Sequence, residues 1–506
     1  MPDPTNAEIA AALDELGDLY ELDGAIIHRV VAYRNAAKAV RDAPVSVTAL
    51  ARQGRASELP GIGQTIQEKV LALADDGAIP AAVKLRDKFP AGLIEMTRLP
   101  GLGPKRARRL YDELGIDSLE QLRTAAESER IRSLKGFGPK AEASLLAALA
   151  AVAQDGHGQR WVLDRALAVG EALLAALRAD PAAERVELAG SARRMADSVK
   201  DIDIIATASD PLALAQAAAA LDLIQDAGTA TASGVRLHTH TGMRVDLRIV
   251  APDQFGNLLQ HLTGSKEHNM ALRDAAVRKG LHISEYGVLD DATGATHRCA
   301  TEAEVYGLLG LAYIEPELRE NRGELEAAAK GTLPELVIRE DLRGDLHCHT
   351  TASDGTASTK DMAIAARDAG YEYLAITDHS ASMGFGADVS PERLREQIER
   401  IRSTHVDGIR LLAGSEVNVL PDGSLDYDDE LLTQLDWVVA SVHTSFRISA
   451  EQMTTRIVRA VEHPLVDCLG HPSGRKIERR RAYEFDLERV IEAAVRTGTM
   501  IEINAS

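Results

Sequence analysis

Gly190-Ser191-Ala192-Arg193-Arg194-Met195-Ala196-Asp197-Ser198-Val199-Lys200-Asp201-Ile202-Asp203-Ile204-Ile205 is the stretch on which the reading of the chain turns. Before it, Val186-Glu187-Leu188-Ala189 has the pattern of a short strand, and Gly190-Ser191 then turns so that backbone N–H groups and the Ser hydroxyl can face an anion. This predicts a phosphate site. Asp201-Ile202-Asp203-Ile204-Ile205 reads as a second strand, whose period of two sends Asp201 and Asp203 to one face and Ile202 and Ile204 to the other. A third candidate strand, Arg244-Val245-Asp246-Leu247-Arg248-Ile249-Val250, brings Asp246 alongside them; its Arg244 and Arg248 are read as lying on the opposite face and receive no catalytic role. Three carboxylates around phosphates suit two Mg²⁺ (or Mn²⁺) ions, which activate an attacking hydroxyl and stabilise the leaving oxygen. The competing account, strand-end aspartates that merely face water, is weakened because Gly-Ser, Asp-x-Asp and a later strand Asp occur together.

That set resembles the palm of the family X DNA polymerases, within the nucleotidyltransferase superfamily. Further on, Gln260-His261-Leu262-Thr263-Gly264-Ser265-Lys266-Glu267-His268-Asn269, with Arg273 and Lys279-Gly280, resembles the segment that holds the incoming nucleotide in that family. The resemblance implies that Asp201 and Asp203 hold both metals, while Asp246 completes the catalytic one and assists deprotonation of the primer 3′-hydroxyl. It also implies that Gly190, Ser191 and Arg194 bind the triphosphate, Thr263 and Gly264 lie against the sugar, Asn269 reaches the minor-groove edge of the base, and Arg273 reaches the template. His261-Leu262 stands where the family often has an aromatic pair, a departure that bears on discrimination against ribonucleotides.

The 506 residues exceed one ordinary domain and predict three or four. A 45% hydrophobic and 4% aromatic composition predicts cores of Ala, Leu, Val and Ile. No apolar run approaches the roughly 20 residues of a membrane span, no secretory signal is read at the N-terminus, and three cysteines are too few for a disulfide framework. The expectation is a soluble, cytoplasmic, nucleoid-associated monomer. A net charge of −20 argues against a non-specific nucleic-acid coat. Two basic islands, Lys105-Arg106-Ala107-Arg108-Arg109 and Arg475-Lys476-Ile477-Glu478-Arg479-Arg480-Arg481, nonetheless predict local, salt-sensitive DNA contacts.

Residues 7 to 20 read as an amphipathic helix, and three later stretches share a hydrophobic-Gly-x-Gly pattern, at Gly61-Ile62-Gly63, Gly101-Leu102-Gly103-Pro104-Lys105 and Gly136-Phe137-Gly138. Each has the form of a helix-hairpin-helix, whose glycines permit a tight turn and expose N–H groups to a DNA phosphate. The first two resemble the hairpins that grip the downstream and primer strands in family X polymerases; the third could equally be a packing turn. By the same resemblance His28, Arg29 and Tyr33 are 5′-phosphate ligands and Lys69 is a lyase lysine, which would need a partly neutral amine. Against that stands Lys69 as a solvated lysine of the hairpin helix. Val235 through His240 contains a His-x-His that reads as an exposed hairpin rather than a metal site.

Residues 341 to 506 hold a second constellation. Asp345-Leu346-His347-Cys348-His349 reads as a strand with both histidines on one face and Cys348 as a small buried residue on the other. Asp354, His379, Glu416, His443 and His471 follow at turns and strand ends. Apolar strands alternating with helices predict a βα barrel with these polar ends at one rim, and clustered imidazoles with carboxylates favour Zn²⁺, Mn²⁺ or Fe²⁺. The pattern resembles the PHP domain of bacterial family X polymerases, a (βα)₇ barrel with a three-metal phosphoesterase site. That implies one metal on His347, His349 and Glu416, a second on Glu416, His443 and His471, and a third on Asp354 and His379. The family's later Asp-x-His has no counterpart before Ser506, so an incomplete barrel is expected, with fewer than three metals.

The fold class expected is therefore multidomain α+β and α/β. It comprises an N-terminal helical gap-binding domain (1–83), a helical fingers-like domain (84–153), a nucleotidyltransferase palm of mixed sheet and helices (154–262), a thumb (263–320), a linker with a charged helix (321–340), and the PHP barrel (341–506). The expected function is a DNA-directed DNA polymerase that fills short gaps in base-excision repair, taking dNTPs and gapped or nicked duplex with a 5′-phosphate. The barrel would add a 3′-5′ exonuclease or abasic-site endonuclease. Two alternatives are a metal-dependent DNA phosphoesterase with the palm only binding, and a noncatalytic DNA-end scaffold.

Overall fold

The computed structural model describes residues 3–504 apart from 98, 100, 101, 135, 155–159, 383–387, 478 and 479; Gly101 of the second hairpin therefore lies outside the described residues. Contacts divide the chain into two compact units, Met1–Leu333 and Pro334–Ser506.

The first 150 residues are helical because their apolar side chains recur at helical spacing. In the helix Asn6–Leu22, Ile9, Leu13, Leu16 and Leu19 are fully buried, and a capping box between Thr5 and Glu8 satisfies its first turn. Each hairpin turn delivers a helix: Gly61, in the left-handed region at φ +83°, precedes Gln64–Asp76; Gly103 caps Pro104–Leu114; and Gly136, at φ +88°, precedes Pro139–Gln154. One apolar core runs through all of these from Ile9 to Leu149.

The next part of this unit contains β1 (Trp161–Val162), β2 (Ala183–Ala189), β3 (Ser198–Val199), β4 (Asp201–Ala208), β5 (Ile224–Ala227), β6 (Gly234–Thr239) and β7 (Arg244–Ile249). The larger sheet has the order β2-β4-β7-β6-β5, with β4 and β7 parallel and the other neighbours antiparallel. One face is apolar: Ile202, Ile204, Val245 and Leu247 are buried in one cluster with Leu173, Leu177 and Leu214 from the helices Leu163–Arg178 and Pro211–Ala219. Alternation turns Asp201, Asp203 and Asp246 to the other face. There Ile205 packs with Phe255, Leu258 and Leu259 of the helix Phe255–Thr263. His238 lies exposed on β6, which pairs with β7 through the turn containing His240, as the hairpin reading expects.

A small antiparallel sheet of β8 (Leu281–Ser284), β9 (Gly287–Asp290) and β10 (Thr296–His297) follows. Leu272, Val288, Tyr306 and Ala328 share its core. The charged helix is Glu324–Lys330, and it is anchored by more than apolar contact: Glu324 accepts from the fully buried His268 at 2.7 Å.

In the second unit β11 (Gly344–Cys348), β12 (Tyr373–Ile376), β13 (Arg410–Asn418), β14 (Trp437–Ser441), β15 (Cys468–Leu469) and β16 (Met500–Ile501) form one parallel sheet in chain order. Helices such as Thr359–Asp368, Pro391–Ser403 and Ala450–Val461 make the crossovers. The described residues thus form six strands of an incomplete βα barrel. Glu502, just after β16, reaches His347 on β11 at 2.8 Å, which brings the ends of the first and last strands together. Cys348 is buried, its thiol donates to the Ala375 carbonyl at 3.2 Å, and burial pushes it up to about 12.

No helix is long and apolar enough to cross a membrane among the described residues.

Candidate active sites

Parallel register sets Asp203 directly beside Asp246, and Asp201 lies two residues back along the same face. Burial, with Asp201 and Asp246 as like-charged neighbours, pushes Asp203 up to about 6. Three carboxylates held at this spacing repel one another, and a divalent cation among them would relieve both the repulsion and the desolvation, so the donor set fits the metal that the motif predicts. One expectation is corrected here. Arg244, Asp246 and Arg248 are two residues apart and share a face, and the positive charge of Arg248 acts on Asp203. The alternation that turns Asp246 to this face turns both arginines to it as well, not to the opposite one.

Gly190 follows β2 at φ +66°, and a β-carbon there would lie 2.2 Å from Asp203 Oδ2. Ser191 opens the same turn and is half-buried. Arg194, expected at the triphosphate, donates through Nε to Glu320 at 2.8 Å and through Nη1 to the Thr263 carbonyl at 2.7 Å. Arg193 donates to the Thr263 hydroxyl at 2.8 Å and forks onto Glu302 at 3.0 and 2.7 Å. Glu302 also accepts from the fully buried Arg319 at 2.5 Å. Burial pushes the Glu302 carboxyl up, but the two guanidiniums outweigh it and hold the carboxyl below its ordinary range. This Arg193–Glu302–Arg319 bridge ties the phosphate-turn segment to the helix Glu302–Leu308 and to Arg319, and its acidic member has no motif around it.

Within the nucleotide segment, Asn269 accepts from Gln260 at 2.9 Å and donates to the His261 carbonyl at 2.7 Å. A β-carbon on Gly264 would lie 2.2 Å from Asn269 Oδ1, so these two motif residues are mutually fitted. Arg273 meets His261 Nδ1 at 3.1 Å. Of the residues expected to contact DNA, His28, Arg29, Gly61, Gly63, Gly103 and Lys105 are exposed. Tyr33 is buried and stacks on Tyr20 at 5.4 Å, with the Arg29 guanidinium over the Tyr20 ring at 4.8 Å. Lys69 is half-buried on the helix Gln64–Asp76.

In the second unit Glu416 is 1% exposed and five imidazoles surround it. His379 Nδ1 and His471 Nε2 approach at 2.6 and 2.7 Å, His443 Nε2 at 3.0 Å, His347 Nε2 at 3.4 Å and His349 Nε2 at 3.7 Å. Asp354 lies 3.7 Å from His349 and 3.4 Å from His379. Three ligand groups of metal-binding size result: His347, His349 and Glu416; His349, Asp354 and His379; His379, Glu416 and His443. The first is the set expected for one metal, the second adds His349 to the Asp354–His379 pair, and the third has His379 where His471 was expected. The buried His349 Nδ1 and His443 Nδ1 have no hydrogen bond, and such atoms are costly unless they ligate a cation; with five imidazoles and Asp354 gathered around one buried carboxylate, the site fits divalent metal.

Two carboxylates organise this cluster from behind. Asp378, next to His379, accepts from the Thr350 N–H and hydroxyl at 2.7 Å each, from Ser353 at 2.5 Å and from Gln397 at 2.5 Å, fixing the turn that carries Asp354. Glu502 accepts from His347 Nδ1 at 2.8 Å and from the His471 N–H at 2.5 Å. His471 sits at φ +26°, a conformation that a non-glycine residue holds only when its surroundings enforce it. Glu502 was missed in the sequence, although Glu502-Ile503-Asn504 repeats the form of Glu416-Val417-Asn418.

A palm carboxylate triad in one unit and a multi-histidine centre in the other define a two-centre enzyme of phosphate chemistry. Family comparison agrees part by part: residues 4–79 match a helix-hairpin-helix domain, 93–151 a SAM-like helix-hairpin-helix tandem, 258–320 the DNA polymerase beta thumb and 345–506 the PHP domain. The chain is 35% identical over 503 residues to the DNA polymerase/3′-5′ exonuclease PolX of Bacillus subtilis, covering 99% of this chain and 87% of that one. It belongs to that family, the family X DNA polymerases with a PHP domain. The second unit is also similar to proteins named as probable phosphatases. The one from Caldanaerobacter subterraneus is 36% identical over 169 residues (32% of this chain, 62% of that one), and the one from Photobacterium profundum is 33% identical over 166 residues (32% and 63%).

Proposed function

We propose that this enzyme adds template-matched nucleotides from dNTPs at short gaps in duplex DNA, as a cytoplasmic, monomeric enzyme of base-excision repair. The observation that carries the reading is the pairing of Asp203 with Asp246, with Gly190 pressed against the former. Asp201, Asp203 and Asp246 would hold two Mg²⁺ or Mn²⁺ ions, which when bound supply charge neutralisation at the transferring phosphoryl group. Asp246 accepts the proton of the primer 3′-hydroxyl. The Gly190–Ser191 turn and Arg194 orient the triphosphate, Thr263 and Gly264 seat the sugar, Asn269 contacts the base edge and Arg273 the template strand. Arg248 offsets the negative charge at Asp203. The hairpin turns at Gly61–Gly63 and Gly103–Lys105, with His28 and Arg29, hold the DNA backbone on either side of the gap. Lys69 is proposed as the lyase amine.

Primer extension on a one-nucleotide gap with a downstream 5′-phosphate tests this. Addition of one matched dNMP by the wild type and none by Asp246→Asn is expected; extension by both proteins removes the triad from catalysis.

The second unit supports a further activity, cleavage of phosphodiesters from a 3′ end. It is favoured by the convergence of five imidazoles and Asp354 on the buried Glu416 and by the exonuclease named in the Bacillus relative. Zn²⁺, Mn²⁺ or Fe²⁺ would be held by His347, His349, Asp354, His379, Glu416, His443 and His471, and would supply a hydroxide nucleophile and Lewis acidity when bound. The chain's own contribution is to orient those imidazoles around Glu416 and to bury that carboxylate away from water. Primer shortening that survives Asp246→Asn and disappears with His347→Ala is expected; shortening by both variants alike assigns it elsewhere.

A further inference from the structure

Gln260, on the helix Phe255–Thr263 of the first unit, is 1% exposed. A buried amide must give its N–H groups and its oxygen fixed partners. One N–H goes to Asn269 Oδ1 at 2.9 Å, and Asn269 in turn donates through Nδ2 to the His261 carbonyl at 2.7 Å. A backbone carbonyl can only accept, so the NH₂ end of Asn269 faces His261 and its oxygen faces Gln260. Gly264 closes a further side, since a β-carbon there would lie 2.4 Å from Asn269 Nδ2 and from the amide carbon.

Gln260 is held in turn by a chain of buried groups. Tyr306, fully buried, hydrogen-bonds the Gln260 side chain, and its hydroxyl lies 2.9 Å from His268 Nε2. His268 Nδ1 lies 2.7 Å from Glu324, which also accepts from the Asn321 and Arg322 N–H groups at 3.0 and 2.7 Å. The direction of every bond then follows. The carboxylate accepts, so His268 Nδ1 carries the proton. Burial holds the ring in its neutral form, so Nε2 accepts from the Tyr306 O–H. The Tyr306 oxygen is left to accept from Gln260, whose other N–H serves Asn269. Reversing any link would set two donors or two acceptors face to face away from water, a costly arrangement.

We propose that Gln260 is a positioning residue for nucleotide addition, and that it fixes the Asn269 amide so that an N–H rather than the oxygen is presented to the minor-groove edge of the incoming base. The inference rests on the base contact proposed for Asn269 and adds the residue that sets its polarity. Asn269 Nδ2 carries two hydrogens; the His261 carbonyl takes one, and the other has no acceptor among the described residues. Purine N3 and pyrimidine O2 each place an acceptor on that edge of the base, so a donor suits either, whereas an amide oxygen would repel both. An unrestrained amide could turn either end to the base. The Gln260 N–H removes that freedom before the nucleotide arrives.

The test compares dATP with 3-deaza-dATP, which pairs alike with template dT but lacks the N3 acceptor, in filling of a one-nucleotide gap by the full-length protein. Wild type is expected to favour dATP in kcat/KM by about tenfold, the worth of one such hydrogen bond, and Asn269→Ala to treat the two nucleotides alike. Gln260→Met, similar in shape but without donors, is expected to lose the preference as Asn269→Ala does, and the double variant to lose no more than either. Gln260→Glu, which has the shape of Gln without its N–H pair, gives the same readout if Met disturbs the packing. A Gln260 variant that slows both nucleotides equally and keeps the wild-type preference makes Gln260 a packing residue and overturns the proposal. If wild type itself shows no preference, the base contact assigned to Asn269 fails. Crystal structures of wild type and Gln260→Met then decide the rest: loss of the Asn269–His261 hydrogen bond in the variant is expected, and its retention overturns the hold of Gln260 on Asn269.

Discussion

The α-carbon of Gly190 stands so close to the Asp203 carboxylate that a β-carbon would lie 2.2 Å from Oδ2 and 3.1 Å from the carboxyl carbon. The turn proposed to orient the phosphates and the carboxylate proposed to hold metal are thus one fitted object. Gly190→Ala must displace Asp203 or the turn, and the left-handed φ of +66° adds strain. Single-turnover gap filling is expected to slow by about 100-fold, since displacements near 1 Å at a reacting centre cost that much. DNA binding, followed by fluorescence anisotropy, stays unchanged. A near-wild-type rate would separate the turn from catalysis.

Glu302 is the shared partner of Arg193 and Arg319. Glu302→Gln leaves the fully buried Arg319 without its counter-charge, and breaking a buried pair in this way costs about 3–5 kcal/mol. The transition of the first unit in calorimetry should fall accordingly at pH 7. Because the folded carboxyl is held below its ordinary value of 4.5, its contribution is present above that pH and lost as the pH falls through the lowered value. The wild-type and variant transitions should therefore converge on acidification. A constant gap down to pH 3 would contradict the assignment.

Glu502→Gln keeps the shape of the side chain but removes the charge that orients His347. Loss of such an outer partner weakens metal binding by about 10- to 100-fold. Isothermal titration of metal-stripped protein with Zn²⁺ or Mn²⁺ should show that loss with the second unit still folded by circular dichroism. Unchanged affinity would reduce Glu502 to a packing residue.

Metal should also stabilise the second unit, because it would bind the ligand groups that converge on the buried Glu416 in the folded state only. At a hundredfold excess over Kd, about 2.7 kcal/mol of stabilisation is expected. Its thermal transition should rise on adding Mn²⁺ to EDTA-treated protein, and the rise should vanish in Glu416→Ala. A rise that persists in Glu416→Ala would place the metal elsewhere.

The motifs that were legible are those whose members are neighbours along the chain or share a strand face. Asp201 and Asp203 declare themselves by alternation, and Asp246 by the form of its strand. The histidines of the second unit do so by standing at the ends of apolar runs, and all of them converge on Glu416. What was illegible is contact across sequence. Arg193 and Glu302 are 109 residues apart, and His347 and Glu502 are 155 apart. Nothing local marks either glutamate as a partner. The face of Arg248 was a different kind of miss, since the same alternation that placed Asp246 places it too. Tyr33, expected to hold phosphate, spends its ring on Tyr20, which an isolated position in a helix cannot reveal.

The ligands around Glu416 come from strand ends and the turns next to them, whereas Lys476 and Arg481 belong to the loop that follows one such end. The ligand groups and the basic loop beside them are therefore written in separable segments of chain. Variation confined to that loop would leave the strand-end ligands in place, so the two can change independently.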